Sequence, residues 1–358
     1  MSLVTESSFR WLADRFLRQQ LKRLEQHLVG IEVSEDIEDV HQARVASRRL
    51  RVGLNIMGEH LPETGKWRRQ LKRLTRGLGP ARDLDIQIAF LGRQEVLLHD
   101  PNCRPGIARL LLRLQQERAS LQTGVLAAVR RIRQRDILYQ MHNLIARLCA
   151  DSPQPGQQRL DEAVLAYARQ RLTSRLGELL AHADSLSQPD AVREQHALRI
   201  AAKRLRYEME AFAPVYAGKL GRFIRTAKKI QSLLGEVHDC DVWVACLERF
   251  LEEEYSRTVQ YFGHGRPCKR IRPGIVTLSQ ERVENRHVLF SRTQKYWTRY
   301  GGEALGQALE QVLVDAQEAA RSSPSPETSV ETSAQNTAPS GDTTPAAEQE
   351  EQACRYRG

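Results

Sequence analysis

The protein has 358 residues, of which 41% are hydrophobic and 27% charged, so the chain can bury one large core or two modest ones. Its 54 Lys and Arg outnumber its 44 Asp and Glu, and the net charge of +10 favours an anionic partner: nucleic acid, a membrane surface or a polyphosphate. An apolar run of 18 residues is absent, which argues against a membrane-spanning helix.

The first residues lack the apolar core of a signal peptide, so we expect a cytoplasmic protein with reduced thiols. The six cysteines show no zinc-ligand spacing, and no glycine-rich nucleotide fingerprint occurs. The sequence therefore predicts neither a metal site nor a cofactor.

Hydrophobic residues recur with helical periodicity, and strand-like alternation is nearly absent. In chain order the predicted helices are 8–29, 36–59, 66–78, 83–98, 106–148, 158–186, 190–213, 219–234, 239–262 and 280–320. Helix ends are predicted at Gly79–Pro80, Pro214 and Gly235. From 321 to 358 the chain is rich in Ser, Thr, Pro and Glu, with too few apolar groups to offset the entropy of ordering. The sequence predicts an all-α fold over residues 1–320 and a disordered tail over 321–358.

Three sequence blocks recur in the same order in the two halves of the chain. HQARVASRRLR from His41 returns as HALRIAAKRLR from His196, an offset of 155; LGPARDLD from Leu78 returns as LGEVHDCD from Leu234, an offset of 156; and RPGI from Arg104 returns from Arg272, an offset of 168. The larger third offset places roughly a dozen extra residues in the basic loop around Gly263–Arg272. We infer a tandem duplication with copies at about 5–150 and 158–320, joined near 152–156.

The first block forms a basic ridge when it is placed on a helix at 100° per residue. One sector of about 80° holds His41, Arg44, Arg48 and Arg51, and the opposite side holds Ala43, Ala46, Leu50, Leu54 and Met57. In the second copy the ridge is His196, Arg199, Lys203 and Arg206, and the apolar side is Leu198, Ala201, Leu205, Met209 and Phe212. Between Val40 and Ile56 there is no Asp or Glu. Unpaired arginines repel one another along a helix, so the ridge predicts binding of an anion, and guanidinium groups suit phosphate oxygens.

The next helix of each copy supplies a second basic face, which predicts the two walls of a groove. Its members are Lys66, Arg69, Arg73 and Arg76 in the first copy and Arg222, Arg225 and Lys229 in the second, where Ser232 replaces the fourth cation. Further candidate phosphate contacts are Arg49, Lys72, Arg82, Arg204 and Lys228.

Histidines and carboxylates in these blocks admit other roles. We interpret His41 and His196 as hydrogen-bond donors at the ends of the ridges, since no second ligand lies at metal-binding spacing. Asp83, Asp85, Asp239 and Asp241 follow a Leu-Gly break, so we expect them in N-cap and first-turn positions.

On these blocks the sequence resembles the conserved-histidine α-helical domain family, known as CHAD, over about residues 5–320. The resemblance implies two pseudo-symmetric helical bundles around a basic groove or pore, binding of inorganic polyphosphate through the basic side chains of the motifs, and association with polyphosphate granules. It implies no catalysis here, because the strand-rich triphosphate-tunnel domain fused to some members is not evident. His238 in place of Arg82, and Ser232 in place of Arg76, suggest a second copy that holds its anion less tightly.

Two other functions remain open from the residues alone. A nucleic-acid-binding protein is less favoured, because aromatic residues make up only 6% of the chain and few interleave with the ridges. A metal-dependent phosphohydrolase would need the paired aspartates as ligands. We do not expect a membrane partner, and the oligomeric state is left open.

Overall fold

The computed structural model describes residues 3–33, 36–58, 61, 64–150 and 162–322. These residues form thirteen α-helices and two short 3₁₀ helices, and no strand is found among them. The predicted all-α class is confirmed. No described helix has the length and apolarity needed to cross a membrane. The predicted junction at 152–156 and the predicted tail beyond residue 322 lie outside the described residues.

The helices follow the duplicated sequence. The first copy contains α1 (Leu3–Val33), α2 (Ile37–Ile56), α3 (Thr64–Gly77), α4 (Gly79–Gly92), α5 (Glu95–His99), α6 (Arg104–Ser120), α7 (Gln122–Arg133) and α8 (Ile137–Ala150). The second contains α9 (Glu162–Leu180), α10 (Val192–Phe212), α11 (Gly221–Phe262), α12 (Cys268–Tyr300) and α13 (Gly302–Ser322), with 3₁₀ turns at Ala183–Ser187 and Ala213–Tyr216.

Two apolar cores hold the helices together. The larger is built mainly by α1–α3, α7–α10, the first half of α11 and α13, and the smaller by α4–α6, the second half of α11 and α12. Both motif helices pack as their angular pattern predicts, because every residue assigned to the apolar side of α2 or α10 is buried. One face of each motif helix is thereby fixed in the larger core, which leaves the basic ridge on the other.

The break predicted at Gly235 is wrong, because α11 runs through this position as one helix of 42 residues. Nothing lies within 4 Å of where a Cβ would stand on Gly235, so the glycine marks neither a turn nor a close approach. A glycine inside a helix costs only about 1 kcal/mol relative to alanine. Packing of α11 against α10 and α12 offsets that cost.

Two long predicted helices are divided instead. The predicted helix 106–148 is α6, α7 and α8, with Asp136 in a left-handed conformation (φ 51°) before α8. The predicted helix 280–320 begins earlier, at Cys268, and is interrupted at Gly301 and Gly302, where φ reaches 57°. Periodicity alone did not reveal these boundaries, because the helical spacing of apolar residues is the same on both sides of each short turn.

The N-cap interpretation of the aspartates is also wrong. Helix α4 begins at Gly79 with Pro80 in its first turn, and this turn contains no acid. Asp85 instead accepts a hydrogen bond from Arg118 of α6 at 2.6 Å, with the carboxylate almost fully buried. The equivalent Asp241 accepts one from Arg286 of α12 at 2.5 Å. The offsets of 156 and 168 relate the two ion pairs, so this helix-to-helix link is part of the repeated design.

The two copies also meet where the third repeated block brings α6 and α12 together. A Cβ on Gly106 would lie 2.2 Å from the carbonyl oxygen of Ile271, and one on Gly274 would lie 2.1 Å from that of Cys103. Each glycine thus faces the carbonyl three residues before the other. This reciprocal contact is what a twofold axis between the copies requires, and only glycine permits so close an approach.

Elsewhere the copies differ in a compensated way. In the first copy Phe16 of α1 packs against Gly53 of α2, where a Cβ would lie 2.7 Å from the ring. At the positions 155 residues later, Arg171 of α9 donates to the buried Glu208 of α10 at 2.9 Å, and Arg175 joins the same carboxylate. An aromatic ring over glycine and an arginine over glutamate fill equivalent space.

The glycine crossing leads to a stability prediction. Gly274→Ala should lower the free energy of unfolding by about 1–3 kcal/mol, because a backbone carbonyl cannot yield as a flexible side chain would. Gly177→Ala is the matched control inside α9, where the added methyl meets nothing within 4 Å, and it should be neutral or stabilising by up to about 1 kcal/mol. Urea unfolding measures both. Equal stabilities for the two variants would show that the crossing tolerates separation.

Candidate functional site

The basic ridges of α2 and α10 meet between the two copies. Arg48 donates from Nη1 to the hydroxyl of Tyr207 on α10 at 3.3 Å. Its charge also lowers the pKa values of Arg199 and Lys203, the cations of the opposite ridge. Because Arg48 and Lys203 hold equivalent positions, the approximate twofold axis passes between them. We call the residues gathered here the central basic cluster: His41, Arg44, Arg48, Arg51, Arg82, His196, Arg199, Lys203, Arg206 and His238.

In the first copy, the start of α4 shapes the cluster. Arg44 lies against Gly79, where a Cβ would stand only 2.9 Å from Nη1. That nitrogen is buried and has no hydrogen-bond partner among the described residues. The charge of Arg82, one turn further along α4, lowers the pKa of His41. The start of α4 therefore packs the backbone of Gly79 against Arg44 and places Arg82 near His41.

In the second copy, the equivalent positions hold two histidines. The rings of His196 and His238 lie with centroids 4.4 Å apart and planes inclined by 57°. The Nδ1 atoms of both rings are buried without a hydrogen-bond partner in the described part of the chain. Unpaired buried nitrogens are costly unless a ligand supplies the partner. The two histidines thus add unpaired polar atoms to the central basic cluster.

Charge repulsion and burial act together throughout the cluster. Burial and then Arg82 lower the pKa of His41, whereas burial and then Arg199 lower the pKa values of His196 and His238. Burial, followed by Arg48 and Arg199, lowers the pKa of Lys203 to about 8. Burial is the first cause of each shift and neighbouring cations the second, so a bound anion would favour the charged forms of these groups.

A few carboxylates lie near the cluster. Asp83 approaches Arg44 at 3.9 Å and is largely exposed. Its counterpart Asp239 acts to raise the pKa of Arg199. Glu210 bridges Arg49 at 2.9 Å and Arg206 at 3.4 Å. The first copy has Asn55 where the second has Glu210. Arg206 is consequently more neutralised than its counterpart Arg51.

The basic residues predicted on α3 do not all lie on the same side of that helix. Arg73 lines a small hollow against Arg131 and Ile132 of α7, away from α2. Burial lowers the pKa of Arg51, and the neighbouring cations Arg48, Arg68 and Arg76 lower it further. Arg68 was not predicted, although it forms an i, i+4, i+8 series with Lys72 and Arg76, which were. The hydrogen bond between Ser47 and Thr75, at 2.8 Å, turns that series toward α2.

Other candidate contacts lie at the edge of the cluster or outside it. Arg49 is engaged by Glu210, and Arg204 approaches Glu178 of α9 at 3.5 Å. The exposed candidates on α3 and the first turns of α11 are Lys66, Arg69, Lys72, Arg222, Arg225, Lys228 and Lys229. Their exposure leaves them accessible to a long ligand.

Comparison with known proteins places this architecture. The family model described as "CHAD domain" matches residues 15–248. The chain is also similar to the crystal structure of the CHAD domain from the plant Ricinus communis, with 20% identity, a TM-score of 0.53, and coverage of 77% of this chain and 91% of that chain. At this identity the second likeness shows the fold alone. No curated protein matches the sequence.

The charge coupling across the copies can be measured without any ligand. Arg48→Gln should raise the pKa of Lys203 from about 8 toward its ordinary value, because the cation with the largest effect on that pKa is removed. Arg49→Gln is the control, a cation of the same helix that is held by Glu210. NMR titration of the lysine side chain reports the shift. An unchanged pKa in Arg48→Gln would show that the two ridges do not interact.

Proposed function

This chain belongs to the CHAD family, and on that premise we propose that the central basic cluster binds inorganic polyphosphate. The family is associated with polyphosphate binding in general. The observation that carries the proposal is the meeting of two equivalent basic ridges, with Arg48 acting on Lys203 between them. A linear chain of phosphates supplies the counter-charges that these cations lack.

The geometry of the ridges suits a polymer better than a single phosphate. Successive cations on one helix face stand about 5–6 Å apart. The ridges of the two copies continue one another across the approximate axis, and exposed cations on α3 and α11 extend the basic surface. A ligand that spans both copies can therefore replace like-charge repulsion with attraction along its whole length.

We further propose that the protein binds polyphosphate without hydrolysing it, in the cytoplasm and at polyphosphate granules. Incubation with polyphosphate and Mg²⁺ or Mn²⁺ should release no orthophosphate. Release that disappears in Asp83→Asn with Asp239→Asn would instead support a metal-dependent phosphohydrolase. Competition by DNA at equal phosphate concentration separates the nucleic-acid alternative, and DNA should displace polyphosphate poorly.

The main test contrasts the two faces of α2. Arg48→Ala with Arg51→Ala should weaken polyphosphate binding at least tenfold, or about 1.4 kcal/mol, and leave stability unchanged or slightly raised. Leu50→Ala should cost about 2–5 kcal/mol of stability and spare the affinity of the folded fraction. Calorimetric titration and urea unfolding measure the two quantities. An arginine pair that is needed for folding but not for affinity would contradict the proposal.

The same contrast between the basic and the apolar face applies to α10 in the second copy. Lys203 of that helix also provides a test of pH dependence. Lys203 loses its charge as pH rises through about 8 in the free protein, whereas a bound polyanion favours the charged form. Affinity should therefore fall between about pH 7 and pH 9.5, with proton uptake on binding in that range. Lys203→Arg should match the native affinity near pH 7 and lose most of this decline, since arginine stays charged. A decline of the same size in both proteins would exclude Lys203 as a contact.

A further inference from the structure

The second copy carries a helical hairpin that its counterpart lacks. Helix α11 continues to Phe262, whereas the equivalent α4 ends at Gly92, which corresponds to Glu248. The last firm anchor is Glu254, whose buried carboxylate accepts hydrogen bonds from Arg109 and Arg113 of α6. We call residues 255–273 the hairpin tip. Within it only Thr258 is buried and Ile271 packs against the smaller core, so the rest of the tip projects beyond that core.

The hairpin tip is strongly basic. It contains no Asp or Glu, and the next acid along the chain is Glu281. Arg257 pairs with Glu253 at its base, at 2.8 Å. The remaining cations are exposed and form no ion pair within the described part of the chain: Arg266, Lys269, Arg270 and Arg272. Such a patch attracts a polyanion independently of the central basic cluster, which lies about 35 Å away along α11.

Aromatic rings stand exposed among these cations. Tyr261 is 83% exposed and Phe262 56%, and their ring centroids lie 4.7 Å apart. Gly263 ends α11 in a left-handed conformation (φ 75°), which returns the chain so that His264 faces Phe262. The rings of Phe262 and His264 are 6.4 Å apart and within 17° of parallel.

The backbone of the tip keeps its aromatic rings in place. The ring of Tyr255 occupies the space where Gly265 would carry a Cβ, which would lie 2.1 Å from the ring. The contact joins the last turns of α11 to the connecting loop. The exposed rings therefore sit together on a defined surface, beside the exposed cations of the tip.

The combination of rings and cations selects the ligand. Polyphosphate has no flat face, so it would leave the rings unused. Single-stranded nucleic acid presents both bases that stack on aromatic rings and phosphates that pair with Arg and Lys. A base stacks about 3.4 Å from an aromatic plane, and the exposed ring of Phe262 provides such a face. We propose that the hairpin tip binds single-stranded nucleic acid, with a base on Phe262 and backbone phosphates on Arg266, Lys269 and Arg270.

The test uses the full chain with Arg48→Ala and Arg51→Ala, so that the central basic cluster contributes little. Fluorescence anisotropy with a labelled oligouridylate should show binding, and Tyr261→Ala with Phe262→Ala should weaken it at least tenfold. Phe262→Trp should retain affinity because it keeps a stacking face. Tyr139→Ala is the matched control, a 66% exposed tyrosine on α8, and it should change nothing.

Two comparisons separate stacking from charge alone. A duplex of equal phosphate number should bind more weakly than the single strand and should not respond to loss of the rings, because its bases are already stacked. Lys269→Glu with Arg270→Glu should weaken both ligands. Single-strand affinity that is unchanged by Tyr261→Ala with Phe262→Ala would overturn the proposal. So would ring-dependent binding to phosphatidylserine vesicles without binding to the oligonucleotide, which would identify the tip as a membrane contact.

Discussion

The structure depends on holding like charges together. Arg48 of one copy and Lys203 of the other are brought into each other's field, and burial deepens their repulsion. The apolar faces of α2 and α10 oppose that repulsion, because residues such as Leu50 and Leu205 are fully buried in the larger core. The packing of the larger core thus holds together two cations that repel each other, and under the proposed function a bound anion relieves that repulsion.

Much of this arrangement could be read from the sequence. The 100° step placed Leu50 in the core and Arg48 on the ridge, and the duplicated frame indicated that Arg48 and Lys203 are equivalent. Rotation of α3 could not be read in the same way, because its basic residues cover several sectors and the contact of Thr75 with Ser47 decides which sector faces α2. The buried pair of Asp85 and Arg118 was missed for a similar reason, since the partners lie 33 residues apart on different helices.

The copies keep the cluster and vary its surroundings. Equivalent ion pairs, at Asp85 and Asp241, and the reciprocal glycine crossing fix the relation of the helices in both halves. Away from these constraints the second copy differs from the first in having a buried Glu208, a bridging Glu210 and the hairpin tip. The contacts that fix the helices are thus the same in both copies, whereas the surroundings of the cluster differ between them.

The approximate twofold axis between Arg48 and Lys203 also bears on the direction of a bound chain. A site with this symmetry presents nearly the same contacts to a linear ligand that approaches from either side. Inorganic polyphosphate has two identical ends and no intrinsic direction, so the two directions of approach produce the same complex. A nucleic-acid strand has distinct 5′ and 3′ ends, so within one complex the equivalent side chains of the two copies would meet different atoms. Under the proposed function, the duplicated ridge therefore suits a polymer without polarity, whereas the hairpin tip, present once, has no such restriction.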